Sequence, residues 1–333
     1  MLSGKVIKNA IGFLVSLGLV IWLYFSVNWE KVWVHFQSIN YWILIPVFIV
    51  LVLHFYIRAW RWRFLLPKTE APPSLNVLFD CLMMGNTANY VLPLRAGEFI
   101  RPYLLTNFTK YTFPTAFSSV VVERFFDLAF VLLTFAYVGT QVEGLPDLSK
   151  KGALAFGVLA GAILIFIIVG SFLPKLVLTI AEKCTSFLPR GISSKIIKLL
   201  EDFLISAKVV SNISNLLIII ALSAAVWFAC FFVTYLGLYM FPGEFTLLMA
   251  LTITVVVALS VAAPSAPGFI GVYQAGCIAS FSIFGLSSEM AFTYSIVTHV
   301  LNYVLFGLTT IVFCLRNDVK FSQIFKMNKS AAQ

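Results

Sequence analysis

The sequence predicts an all-α fold, a polytopic membrane helix bundle of about six spanning helices plus two re-entrant helical hairpins. Three observations carry this expectation. Of the 333 residues, 60% are hydrophobic and 11% charged, against about a quarter charged in a soluble domain. The apolar residues gather in long continuous runs, as spanning helices of roughly 20 residues require, and not in the alternating runs of about ten that mark a β-barrel. Two further apolar stretches, 75–110 and 246–284, are broken by proline and glycine.

Taken in order, the continuous runs predict spanning helices over 9–27, 41–57, 115–140, 152–173, 214–241 and 291–315. The first follows only Lys5 and Lys8 and has no small-residue cleavage site, so it is expected to stay as a membrane helix and not be removed as a signal peptide. Residues 174–212 mix charged groups with Ile, Leu and Phe at helical spacing, which predicts a pair of amphipathic helices at the cytoplasmic interface. Two spanning helices, a broken stretch and one spanning helix occur twice over, so 9–140 and 152–315 read as halves of an internal repeat of inverted topology. The whole chain, 1–333, is expected to form a single integral membrane domain. Inverted repeats with a matched pair of Gly/Pro-interrupted segments are the plan of many transporters.

The formal net charge is +9, but its placement argues for a membrane and against nucleic acid. Sixteen of the 23 Lys and Arg fall at the N-terminus, at 58–68, at 175–208 and at 316–329. Cytoplasmic loops collect such residues, so both termini are expected on the cytoplasmic side of a cell (inner or plasma) membrane. The five cysteines are scattered singly without C-x-x-C spacing, and read as free thiols. No H-E-x-x-H, Walker A loop or G-x-S-x-G is present. Neither a metal nor a cofactor is expected.

Charge inside such a chain is costly, roughly 2.5–3.5 kcal/mol per group on insertion scales, and persists when paired or lining a polar cavity. Arg95, Glu98 and Arg101 stand three apart, so a helix from Arg95 would stack them along one face. Arginine's planar fork suits a phosphodiester. Two readings of the trio stay open: Arg95 and Arg101 hold a headgroup phosphate with Glu98 orienting them, or the three form an internal salt bridge that locks a hairpin. Glu123, Arg124 and Asp127 lie roughly 12–18 Å into their helix, near mid-membrane. There they can neutralise Arg95 or Arg101 or relay protons. The run from Pro264 through Pro267 and Gly268 to Gly271 carries no charge and reads as a gating loop or an interfacial turn, with Tyr273 and Gln274 as polar contacts for a substrate. His299 and Asn302, with Tyr303, make a polar stripe suited to interhelical hydrogen bonds. His54 and Arg58 end the second helix beside Trp60 and Trp62, which read as an aromatic belt.

These residues resemble a family. Arg95-Ala96-Gly97-Glu98 with Arg101, Glu123-Arg124 with Asp127, and Pro267-Gly268 with Ile270-Gly271-Val272 are similar to three hallmark stretches of the flippase-like transmembrane domain of lysylphosphatidylglycerol synthases. Arg58-Ala59-Trp60-Arg61-Trp62 resembles the family's basic motif after its second helix. The family usually has a second glycine after Pro-Gly and a glutamate after the Gly-Val run, where this chain has Phe269 and Gln274. The resemblance implies a stand-alone member without the aminoacyl-transferase domain, not itself an enzyme, that translocates a phosphate-bearing lipid or lipid-linked headgroup between leaflets. Its implied partners are membrane lipids and a lipid-synthesis or glycosyltransferase protein. The alternative from another class is a membrane-embedded enzyme or accessory scaffold in phospholipid or polyprenyl-linked glycolipid synthesis, with Glu98, Glu123 or Asp127 as a general base.

Overall fold

A computed structural model describes residues 4–67, 72–93, 95–142, 147–263 and 265–317, without the side chains of 4–13, 147–150, 153 and 190. Among these residues every regular element is helical. In chain order they are α1 (Gly4–Ser26), α2 (Trp29–Ser38), α3 (Leu44–Leu65), α4 (Leu75–Val91), α5 (Gly97–Phe108), α6 (Phe113–Gln141), α7 (Asp147–Phe172), α8 (Pro174–Thr185), α9 (Arg190–Ala207), α10 (Ile213–Leu238), α11 (Leu247–Ala262), α12 (Val272–Ser282) and α13 (Ser288–Asn317). Every expected helix is present, and the chain is a multi-pass helical membrane protein.

Four helical segments are long and apolar enough to cross a membrane by themselves: Tyr41–Leu65, Leu154–Phe172, Ile213–Leu238 and Ser288–Asn317. The other two expected spans are helices as well. Side chains of α1 are described from Leu14 onward, where the helix is apolar. In α6 the apolar run is interrupted by Glu123, Arg124 and Asp127, yet its 29 residues reach about 44 Å at 1.5 Å per residue. The connector 174–212 forms the expected pair of helices, α8 and α9, which pack on one another.

Each broken stretch is a helix, a short irregular loop and a second helix: α4 with α5, and α11 with α12. Glycine lets the returning arms lie close. A Cβ on Gly97 would run into the Gly85 carbonyl of α4, and one on Gly276 would lie 2.8 Å from the Ser260 hydroxyl of α11. The returning arms have 12 and 11 residues. At about 1.5 Å per residue neither reaches across a 30 Å hydrocarbon core. The short helix α2 has no counterpart among the expected elements. Its start is fixed locally by Asn28, whose side chain accepts the backbone N–H of Glu30 and Lys31.

The chain divides into two compact units. One comprises Met1–Phe55, Leu82–Ile100 and Phe228–Gln333; the other comprises Tyr56–Cys81 and Arg101–Trp227. The first has a core of Leu23, Phe241, Ile253, Phe281, Tyr294 and neighbouring apolar side chains. In the second, α6 packs along α7 and α9, with Phe125, Phe166 and Phe203 in mutual ring contact.

Candidate functional site

In the unit of Tyr56–Cys81 and Arg101–Trp227, α3, α5 and α6 bring charged groups to one carboxylate. Glu123 is wholly buried and pairs with four guanidiniums: Arg101 at 2.7 Å, Arg124 at 2.9 Å, Arg61 at 3.1 Å and Arg58 at 3.2 Å. Asp127, one helical turn further along α6, takes Arg61 at 2.7 Å and Arg124 at 3.4 Å. The spacing is the reason two acids can serve four bases. Glu123 and Asp127 at i, i+4 share a face of α6, while Arg58 and Arg61 at i, i+3 share a face at the end of α3.

Trp62 completes this cluster. Its ring lies 3.8 Å from the Arg101 guanidinium, and its Nε1–H donates to Ser119 Oγ of α6 at 2.9 Å. Arg61 also donates to Ser223 Oγ of α10 at 3.1 Å. Arg61, Trp62 and Glu123 are fully buried, whereas Arg124 is 40% exposed, so the cluster has one open side. The buried Nε–H groups of Arg61 and Arg101 find no acceptor among the described residues.

The other unit holds the two broken loops, and they touch one another. Arg95 stands before α5 with φ of 52°, a left-handed conformation that non-glycine residues rarely adopt. This turns its side chain toward the second loop, where it donates to the Val261 carbonyl and lies over the Phe269 ring at 5.4 Å. The Asn89 side chain accepts the N–H of Gly97 and so caps the start of α5. In the second loop Gly268 (φ 69°), Phe269 (φ 59°) and Gly271 (φ 88°) are all left-handed or nearly so. A Cβ on Gly268 would meet the Tyr303 hydroxyl, and one on Gly271 would lie 3.0 Å from the Ser16 carbonyl. Ser16 Oγ in turn accepts the N–H of Ala266 at 2.8 Å.

Gln274 joins this loop to α13. Its Oε1 accepts the Gly271 N–H at 2.8 Å, capping α12, and its Nε2 lies 3.1 Å from His299 Nδ1. Because Oε1 is occupied as an acceptor, Nε2 donates, and His299 carries its proton on Nε2. Tyr90, Tyr273 and Tyr303 surround that imidazole at centroid distances of 5.0–5.5 Å.

The expected residues therefore fall into two groups. Arg101, Glu123, Arg124 and Asp127 come together in one unit; Arg95, Pro267, Gly268, Gly271, Tyr273, Gln274 and His299 belong to the other. Arg95, Glu98 and Arg101 do not stack along one helical face, because α5 begins at Gly97 and Arg95 is turned away by its positive φ. The carboxylate that Arg101 meets is Glu123. Glu98 is half-buried in the first turn of α5. Tyr273 bonds Thr298 at 2.9 Å, and Asn302 bonds the Thr298 carbonyl of its own helix. Pro264 lies outside the described residues.

Two expectations are corrected. The second helix does not end at Arg58 but runs on to Leu65, and Trp62 is no belt residue at a lipid interface. Ser119 is the polar group that sequence reasoning missed, and Arg58, Arg61 and Trp62, read as a basic motif and a helix end with interfacial aromatics, were not connected to Glu123. The available signal was the spacing of Arg58, Arg61 and Trp62 at i, i+3 and i+4, the same one-face pattern that singled out the other charged residues.

Fold and site together define a multi-pass helical membrane protein that sequesters an arginine–carboxylate cluster and a pair of interlocked re-entrant-type loops. The chain belongs to the family described as the lysylphosphatidylglycerol synthase TM region, whose model matches residues 9–309. It is similar to the UPF0104 membrane protein MJ1595 of Methanocaldococcus jannaschii, with 24% identity over 92% of this chain and 94% of that protein. A stretch of 118 residues, 34% of this chain, is 30% identical to 19% of the glycosyltransferase AglD of Haloferax volcanii. No solved structure matches.

Proposed function

We propose that the protein moves a phosphate-bearing lipid or lipid-linked headgroup between leaflets of the cell membrane, with both termini on the cytoplasmic side. The observation that carries this reading is the arginine majority around Glu123. Four guanidiniums face two carboxylates in these ion pairs, on α3, α5 and α6, at a depth where ionised groups belong to pathways more often than to packing. Phosphate oxygens match the arginine fork. Arg61 and Arg101 each keep a buried Nε–H to offer, and Arg124 faces the open side.

The loop pair supports the same reading from the other unit. Broken helices whose irregular backbone is satisfied by protein are the way transporters build sites at the midplane. Here Pro267, Gly268 and Gly271 form the movable element, and 9–140 and 152–315 act as inverted halves of one membrane domain. Against an enzyme using Glu123 as general base stands its complete burial among four guanidiniums, which keeps the carboxylate from a substrate. Family membership and the partial likeness to a glycosyltransferase support a cargo among membrane lipids and a lipid- or glycolipid-synthesis partner.

The test is a leaflet-exchange assay in sealed vesicles with a headgroup-labelled phosphatidylglycerol. Arg101→Lys keeps the charge but loses the fork, and is expected to slow exchange about tenfold, the equivalent of about 1.4 kcal/mol. Wild-type rates in both Arg101→Lys and Arg101→Ala overturn the assignment.

A further inference from the structure

Between two membrane-crossing segments, Leu154–Phe172 and Ile213–Leu238, the chain makes a hairpin of α8 and α9 that the proposed transport does not use. Its base is fixed. Phe203, Leu204 and Ala207 of α9 are buried, and the Phe203 ring meets Phe125 of α6 and Phe166 of α7. Its far end is bare: from Phe172 to Asp202 no described side chain is buried.

What the far end exposes is ordered. On α8, Leu176, Ile180 and Cys184 stand at i, i+4 and i+8, one face of a helix with 3.6 residues per turn. On α9, Ile192, Ile196 and Leu199 stand at i, i+4 and i+7 and again share a face. Phe187, in the turn between the helices, is 81% exposed, and Leu199 is 68% exposed. Stripes of this kind face a core in a globular protein, whereas here both lie open.

The charge beside these stripes says what covers them. From Lys183 to Leu200 the sequence has Lys183, Arg190, Lys195 and Lys198 and no aspartate or glutamate. Over the whole connector, 174–212, six bases stand against three acids, Glu182, Glu201 and Asp202. Lys183, Lys195 and Lys198 are exposed. At 3.6 residues per turn, Lys195 and the half-buried Asp202 flank the apolar stripe of α9 on one side, and Glu201 lies opposite it. Apolar stripes accompanied by an excess of lysine and arginine are the pattern of helices that lie in the interfacial plane of an anionic bilayer.

The tether argues the same way. A single residue, Leu173, separates the end of a membrane span at Phe172 from the start of α8 at Pro174, so no linker carries the hairpin into bulk water. With 18 residues, α9 reaches about 27 Å at 1.5 Å per residue. The nearest apolar medium open to the stripes is therefore the acyl boundary of the leaflet from which the hairpin emerges.

We infer that the distal part of the α8–α9 hairpin, residues 176–199, is a docking surface for the anionic lipid headgroups of that leaflet. Ile180, Phe187, Ile196 and Leu199 enter the acyl boundary, while Lys183, Lys195 and Lys198 meet lipid phosphates. Such a surface goes beyond lipid movement and is expected even in a chain that translocates nothing.

The experiment places a nitroxide on the exposed Cys184 of the full chain, with the other four cysteines replaced by alanine, in nanodiscs of phosphatidylcholine alone or mixed with phosphatidylglycerol. Collisions of the label with oxygen, which concentrates among acyl chains, are compared with collisions with a water-soluble nickel chelate. With phosphatidylglycerol present, most of the chelate collisions seen in phosphatidylcholine alone should be lost. Lys183→Gln, Lys195→Gln and Lys198→Gln made together should abolish that difference between the two membranes. Phe187→Asp with Leu199→Asp should return the label to water in both, and all five positions, being exposed or in the turn, should leave the melting temperature unchanged. A label equally open to the chelate in both membranes would overturn the docking surface. One equally shielded in both, and indifferent to the lysines, would overturn its anionic partner. Strong dipolar coupling between labels on two copies of the chain in proteoliposomes would replace the lipid with a second copy as the occupant.

Discussion

Around Glu123, polarity in a membrane protein is carried by ionised side chains on regular helices; around Gly268, it is carried by bare backbone in irregular loops. The first solution costs desolvation of each charge and recovers it through ion pairs such as those of 2.7–3.4 Å to Glu123 and Asp127. The second exposes peptide groups that helices would have satisfied and recovers them with side-chain partners: Asn89 for Gly97, Ser16 for Ala266, Gln274 for Gly271. The difference lies in tolerance to change. A charge cluster is coupled, because all four guanidiniums share one acid and two of them share a second, whereas a stapled loop loses one bond at a time.

Removing the shared acid is the sharpest way to break this contrast. Glu123→Ala takes the shared acid from four guanidiniums, two of which keep Asp127, and is expected to cost about 3–5 kcal/mol, the range for deleting one partner of a buried pair, read as a lowered melting temperature in detergent. Asp127→Ala should cost clearly less, since Asp127 holds two guanidiniums and its side chain is 14% exposed. Equal losses in the two variants would mean that Glu123 is not the hub. Glu123→Gln, which keeps the volume, is expected to fall between them.

In the loops the parallel test concerns backbone. Gly268→Ala places a Cβ at φ 69° and against the Tyr303 hydroxyl. Strain of this kind costs about 1–3 kcal/mol. The nearest steric contact is that oxygen, ahead of the Tyr303 ring and the Tyr90 carbonyl at 3.3 Å, so in a Tyr303→Phe background the same change should cost measurably less. If both backgrounds lose the same amount, the loop is not seated on Tyr303.

Much of this arrangement was legible in the residues themselves. Apolar runs gave the long helices within about five residues except at the end of α3, which runs on to Leu65, and proline and glycine marked where α4 and α5, and α11 and α12, break apart. The i, i+4 spacing of Glu123 and Asp127 implied carboxylates aimed at an arginine, and Arg101 is such an arginine. What stayed hidden was decided by partners distant in sequence. Arg58, Arg61 and Trp62 sit where a cytoplasmic helix end with interfacial aromatics is equally expected, and only their packing against Glu123 and Ser119, some 57–65 residues away, buries them. Likewise nothing local announces that Arg95 turns left-handed or that its side chain reaches the carbonyl of Val261, 166 residues on.

The smallest expected effect concerns Gln274, which stands where the family resemblance leads one to expect glutamate. Its two ends do different work: the oxygen caps Gly271 and the amide nitrogen fixes the tautomer of His299. Gln274→Leu removes both and leaves a buried N–H and a buried ring nitrogen unpaired, at a cost of about 1–3 kcal/mol. Gln274→Glu keeps the acceptor for Gly271, and one proton shared between its second oxygen and Nδ1 restores the link to His299. The glutamate variant is therefore expected to melt well above the leucine variant and close to wild type. A glutamate variant as unstable as leucine would show that the amide, and not the shape of the pair, holds the second loop to α13, and that glutamate and glutamine are not interchangeable solutions to one geometry.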